Sequence, residues 1–274
     1  MRHFISIAFV CLLLLSACME LVEEQINHQI PLTEQKLGQL HRALNQGEVA
    51  NASLLIDYAK QLSAKLPEQQ KLIAQIAKNA TPQGLLYQSL KQRFQAANYQ
   101  AEMFANQELR YQELLDIYQA ADPDLFSDAL SDPLNVLAAM SEGELARVNA
   151  QTKRDTLQIN HAQDFGAAAT LIGHPAFGRW QSDQNGAFVW QWLKRARTLN
   201  ALTREPPITY RHWAENRDYS YYADVGRSRF TSIFLQAKQQ KIDNKLGSIG
   251  AFAQQRQGDR DLSAASLVLK STYD

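Results

Sequence analysis

The longest helical pattern in the chain is QGLLYQSLKQRFQAANYQAEMFANQELRYQELLDIYQA, residues 83–120. Apolar side chains recur along it in alternating steps of four and three residues, with one polar break at Glu108: Leu90, Phe94, Ala97, Ala101, Phe104, Tyr111, Leu115 and Tyr118. This spacing puts the side chains on one face of a helix. The pattern predicts a single amphipathic helix roughly 55 Å long, whose apolar stripe needs another helix beside it.

Shorter helical patterns come before this segment and can supply the partner. Residues 33–46 and 52–65 each carry one apolar face, and Thr81-Pro82 is typical of a helix start. Packing against a second subunit is the alternative. Residues 19–30 are compatible with a short helix ended by Pro31, or with a flexible tether. The sequence therefore predicts a mainly α fold with a helical bundle over residues 33–160.

The composition changes after about residue 165, where glycine and tryptophan become frequent. Asn185-Gly186 lies between two aromatic segments, which is a strong signal for a β-hairpin. Phe188, Trp190 and Trp192 then share one face of the second strand, with Trp180 opposite them. A short strand over 208–213, a helix over 227–241 and a closing strand over 266–270 complete a predicted smaller α+β module, residues 165–274. The joint between the two parts is expected near residues 150–165.

The N-terminal segment MRHFISIAFVCLLLLSAC, residues 1–18, has the layout of a secretion signal. A basic start at Arg2 precedes an apolar run of 11 residues, Ile5 to Leu15, which is too short to span a bilayer as a helix. Leu15-Ser16-Ala17-Cys18 follows, and this sequence resembles the lipobox of bacterial lipoproteins. An ordinary secretory signal with a chance cysteine and an uncleaved anchor are the alternatives.

The resemblance to bacterial lipoproteins implies that residues 1–17 are removed and that Cys18 is acylated. Residues 18–32 would then be a lipidated tether. Several acyl chains on one cysteine give stable membrane anchoring. The residue after Cys18 is Met19 and not Asp, which favours the outer membrane, with the protein facing the periplasm. Cys11 leaves with the signal, so the mature chain has no other thiol.

Composition and motifs predict neither a cofactor nor a metal site. The chain lacks phosphate-binding glycine loops, the nucleophile elbow and the zinc-binding helix motif. Charge is unevenly distributed: residues 19–150 hold 17 acidic and 10 basic side chains, whereas residues 151–274 hold 11 and 17. In this compartment a basic half favours lipid phosphates, wall polymers or an acidic protein face and does not indicate nucleic acid.

One cluster is the candidate ligand or partner surface, which we call the aromatic–basic cluster: Arg179, Trp180, Trp190, Trp192, Arg195 and Arg197. Aromatic faces can stack on sugars, and arginine binds carboxylate or phosphate with two hydrogen bonds. The alternative is that these aromatic side chains form the hydrophobic core of the module. This alternative is favoured because a glycine-rich module without disulfides needs such a core. We thus expect a non-enzymatic scaffold, assembly or partner-binding lipoprotein. The second hypothesis is a peptidoglycan-binding module or hydrolase that binds the glycan on the aromatic hairpin.

Overall fold

A computed structural model describes residues 2–148, 163–204 and 206–245 and is mainly helical. Its helices are α1 (Arg2–Gln46), α2 (Ala50–Lys65), α3 (Gln70–Ala77), α4 (Leu85–Tyr99), α5 (Gln107–Ala120), α6 (Pro123–Ala129), α7 (Ser131–Met140), α8 (Tyr210–Asn216), α9 (Arg227–Phe230) and α10 (Ile233–Lys245). Strands β1 (Gly178–Ser182) and β2 (Phe188–Trp192) form an antiparallel hairpin. The predicted fold class, a helical bundle followed by a part that contains the hairpin, is confirmed.

Helix α1 differs from its prediction, because it continues through Pro31 to Gln46. Proline inside a helix removes one hydrogen bond and costs about 3 kcal/mol. Burial on both sides of Pro31 offsets this loss, since Ile26 and Leu40 are fully buried and Leu37 nearly so. The expectation that Pro31 ends a short helix is therefore wrong.

The prediction of a single helix over residues 83–120 is also wrong, because the segment folds back on itself as the antiparallel pair α4 and α5. A 3₁₀ turn, Ala101–Met103, follows α4, and the side chain of Asn106 then caps α5 by accepting a hydrogen bond from the N–H of Leu109 at 2.9 Å. The buried face of α5 carries Leu114 and Ile117, while Tyr118 is exposed.

Two local expectations in the second half also need correction. Residues 210–216 form α8 instead of a strand, because the Thr209 hydroxyl caps a helix by accepting from the N–H of His212. The helix expected over 227–241 is interrupted between α9 and α10 at residues 231–232. The expected joint falls largely in residues 149–162, which lie outside the described residues, as does the closing strand over 266–270.

The helical bundle and the hairpin part share one contiguous hydrophobic core. It includes Leu55, Leu90 and Leu134 of the bundle together with Trp180 and Phe230 of the later segment. Within the described ranges, no helix combines the length and apolarity that a membrane crossing requires.

Candidate functional site

The hairpin forms with the pairing that the sequence indicated. Trp180 lies opposite Trp190, and Ser182 lies opposite Phe188. Gly186 has φ of 79°, and the Asp183 carboxylate accepts the N–H of Ala187 at 2.8 Å across the turn. Glycine adopts this positive φ without strain, which is why Asn-Gly is favoured there.

The two paired tryptophans of the aromatic–basic cluster are core residues. Trp180 is 6% exposed and Trp190 is 9% exposed. The Trp180 ring lies 5.2 Å from that of Trp190, 5.0 Å from Tyr210 and 5.3 Å from Trp213, measured between centroids. Gly178 allows this packing, because a Cβ on it would lie 2.2 Å from Cζ2 of Trp190.

Trp192 is the most accessible tryptophan of the cluster, and even it is half-buried. Its ring stands at 84° to that of Trp190, with centroids 5.5 Å apart. A sugar-stacking platform needs open aromatic faces, and the faces of Trp180 and Trp190 are covered by other side chains. This geometry is that of a closely packed core beneath the hairpin.

The three arginines of the cluster, in contrast, are exposed at the open end of the hairpin. Arg179 lies on β1, and Arg195 and Arg197 lie in the 3₁₀ segment Lys194–Leu202 that directly follows β2. The backbone of that segment is tied to the bundle, because Gln75 donates from Nε2 to the carbonyl of Arg195 at 2.6 Å. The guanidinium of Arg195 also donates from Nη2 to the carbonyl of Ala176 at 3.5 Å.

A buried polar network, which the sequence did not predict, lies between the two halves of the molecule, the helical bundle and the part that contains the hairpin. We call it the junction network: Arg93, Glu113, Asp132, Arg217 and Asp224. It joins helices α4, α5 and α7 to the segment from residue 217 to the start of α10. Its side chains come from positions far apart in the chain, so sequence spacing does not reveal them.

Asp132 of α7 caps a helical segment that begins almost 90 residues later. Its Oδ1 accepts the N–H of Tyr221 at 2.8 Å, and its Oδ2 accepts the N–H of Tyr222 at 3.0 Å. These are the first amides of a helical run that continues as the π-helical turn Tyr222–Gly226. The Asp132 carbonyl also accepts from the Thr170 hydroxyl at 2.9 Å.

Burial of Asp132 raises its pKa to about 7, even though the amides of Tyr222 and Tyr221 favour the charged form. His174 lies nearby in the core, with its ring 4.1 Å from that of Tyr222. Burial lowers the pKa of His174 to about 3, so the imidazole is neutral, and its Nδ1 accepts the N–H of Ala176.

The other four members of the network form two bidentate ion pairs. Arg217 donates to both carboxylate oxygens of Asp224, at 2.8 and 2.5 Å, with side chains 5% and 6% exposed. Arg93 donates to both oxygens of Glu113, at 2.7 and 3.1 Å, with 7% and 2% exposed. These groups are paired with each other and with backbone, so the arrangement is suited to holding the two halves together.

Cys18 lies within α1, eight residues before the buried Ile26. Among the described residues, no group of three or more His, Cys, Asp or Glu side chains is arranged to hold a metal ion. Comparisons of the chain with family models, curated proteins and solved structures found no match. The function of the aromatic–basic cluster and of the junction network is therefore inferred from their geometry alone.

Proposed function

We propose that the protein is a lipid-anchored envelope protein that binds a partner protein at the periplasmic side of the outer membrane and does not act as an enzyme. The observation that carries this proposal is Leu15-Ser16-Ala17-Cys18 after a short apolar run. Acylation of Cys18 would attach the folded chain to a bilayer.

The position of Cys18 relative to the core supports a close tether. Ile26 is fully buried, and the Thr33 hydroxyl donates to the carbonyl of Leu114 in α5 at 3.3 Å. Cys18 precedes Ile26 by eight residues, or about 12 Å of helix. An anchor there would hold the bundle next to the membrane, without a long flexible linker between them.

The exposed arginines at the open end of the hairpin are the partner surface that we propose. Arg179, Arg195 and Arg197 offer planar donors that match carboxylates, and the aromatic side chains beneath them are closely packed. An acidic protein face is the chemistry that this surface suits.

Anchoring is tested by Cys18→Ser, with Cys11→Ser as the matched control. The Cys18→Ser precursor should lose palmitate labelling and stay uncleaved, because the acylated thiol is gone. The Cys11→Ser chain should be labelled and processed normally. Normal processing of Cys18→Ser, or labelling that depends on Cys11, would refute the lipoprotein assignment.

Partner binding is tested by reversing the three arginines to glutamate and cross-linking intact cells. The control reverses three exposed lysines of the bundle, Lys60, Lys71 and Lys91, which changes the net charge equally. A protein that cross-links to wild type and to the lysine variant should be lost from the arginine variant. Equal recovery with both variants would rule out the arginine surface as the binding site.

A further inference from the structure

One end of the helical bundle is identified by the directions of α1, α4 and α5. Thr33 of α1 contacts Leu114 of α5, and Lys36 reaches Asp122 just after α5 at 2.9 Å, so α1 and α5 run parallel. Helix α4 is antiparallel to α5, because Nε of Arg110 donates to the carbonyl of Ala97 at 2.7 Å. The N-terminal end of the packed part of α1 therefore lies beside the α4–α5 connection.

The same contacts give the level of Cys18. With Thr33 opposite Leu114, Ile26 is level with Gln107, the first residue of α5. Cys18 is then about 12 Å further along the axis of α1, beyond the end of the bundle. The proposed lipid attachment point and the α4–α5 connection thus lie at one end of the molecule.

Among residues 21–148, 163–204 and 206–242, this end carries most of the large apolar side chains that are exposed. Tyr99 and Met103 at the α4–α5 connection are 77% and 45% exposed, and Leu21 is 59% exposed. Phe234 and Leu235 at the start of α10 are each 43% exposed. Phe234 belongs to this end, because its ring lies 5.4 Å from that of Phe104. We call these five residues the apolar rim.

We infer that the apolar rim rests on the lipid headgroup surface when Cys18 is acylated, an inference that depends on the lipid anchor proposed above. Tyrosine and other amphipathic or apolar side chains favour the boundary between headgroups and acyl chains. A second copy of the chain or a protein partner would also bury an apolar patch. The bilayer is favoured because the anchor holds this end beside it at high effective concentration, so a weak contact suffices.

Charges around the rim specify the kind of lipid surface. Lys238 is an exposed cation one turn after Phe234, whereas four exposed carboxylates lie at this end: Glu23, Glu24, Glu102 and Glu108. Anionic headgroups would repel these carboxylates, and the repulsion would weaken with salt. The docked state should therefore form on zwitterionic phosphatidylcholine vesicles and be weaker when phosphatidylglycerol is added at low salt.

The mature chain offers a clean way to test the docking. Cys18 would be its only cysteine, and acylation converts that thiol to a thioether. Introduced cysteines at Tyr99→Cys or Met103→Cys can therefore be labelled singly with an environment-sensitive fluorophore. Ile56→Cys is the matched control, because Ile56 is 48% exposed on α2 and α2 begins after the opposite end of α1.

The labelled, palmitate-positive proteins are reconstituted in phosphatidylcholine vesicles with and without brominated lipid. We expect blue-shifted emission and bromolipid quenching at positions 99 and 103, with neither at position 56. No quenching at 99 and 103 in palmitate-positive protein would overturn the docking and leave the anchor intact. A blue shift without bromolipid quenching would also overturn it, in favour of a protein occupant. Absence of palmitate from the wild type would instead refute the anchor.

Discussion

The Arg93–Glu113 ion pair gives the sharpest test of how the two halves are held together. Glu113 accepts both bonds from Arg93 and also the N–H of Ile233 at 3.2 Å, and Arg93 donates in addition to the carbonyl of Arg229 at 2.6 Å. The pair therefore links α4 and α5 to the segment that carries α9 and α10. The perturbations are Arg93→Met, Glu113→Leu and the double substitution.

Each single substitution leaves the other charge buried without its partner. Removing one member of a buried ion pair costs about 3–5 kcal/mol in free energy of unfolding. The double substitution replaces both charges by apolar groups, which is neutral or favourable by about 1–4 kcal/mol. It also leaves the carbonyl of Arg229 and the N–H of Ile233 unsatisfied, at about 1–3 kcal/mol each. The net cost of the double substitution should therefore be on the order of 1–3 kcal/mol. The singles should therefore sum to roughly 6–10 kcal/mol, and the coupling free energy should be at least about 3 kcal/mol.

The assay is equilibrium urea denaturation followed by circular dichroism for the four chains of the cycle. Arg147→Met is the control, since Arg147 pairs with Asp218 at 3.1 Å with side chains 57% and 46% exposed. An exposed pair of this kind is worth less than about 1 kcal/mol. Additive single effects, or a cost for Arg93→Met no larger than that of the control, would refute the assignment of the pair as a buried link.

Two further predictions concern Asp132 and the close packing of the hairpin. Because the folded-state pKa of Asp132, about 7, exceeds its ordinary value, the folded chain keeps a proton that the unfolded chain releases. The free energy of unfolding should therefore fall by on the order of 3 kcal/mol as pH rises from about 4 to 7. Asp132→Asn should flatten this dependence in urea denaturation at several pH values, and an unchanged slope would contradict it. Gly178→Ala should destabilise by about 1–3 kcal/mol because its Cβ meets Trp190. Gly38→Ala, a helical site with its nearest neighbour 3.9 Å away, should stabilise by about 0.5–1 kcal/mol; equal effects in thermal denaturation would contradict both assignments.

Local patterns predicted the elements whose chemistry is local. The hairpin followed from Asn185-Gly186 and the alternation of aromatics, and the pairing of Trp180 with Trp190 came with it. The bundle followed from helical periodicity. The break between α4 and α5 was harder, because Ala101 and Phe104 continue the apolar spacing across it. The signal that could have located it is Asn106, a good N-cap three residues before the Leu109 amide that it binds.

The junction network could not be derived in this way. Arg93 and Glu113 meet because α4 and α5 fold back on each other, and Asp132 meets Tyr221 across 89 residues. Such pairs depend on tertiary packing, which overrides the local pattern. The run of Arg, Asp and Tyr side chains over residues 217–229 indicates a polar segment, but its partners in the bundle are set by the fold alone.

The continuity of α1 has a consequence for the order of events during biogenesis. A peptidase that cuts before Cys18 needs the lipobox as an extended strand, whereas residues 15–18 lie inside a helix here. Only eight residues separate that cut from Ile26, which is sealed in the core. If Cys18 is the cleavage and acylation site that we propose, export and cleavage must be completed before the bundle closes around α1, so the first helix would take its final place only after processing.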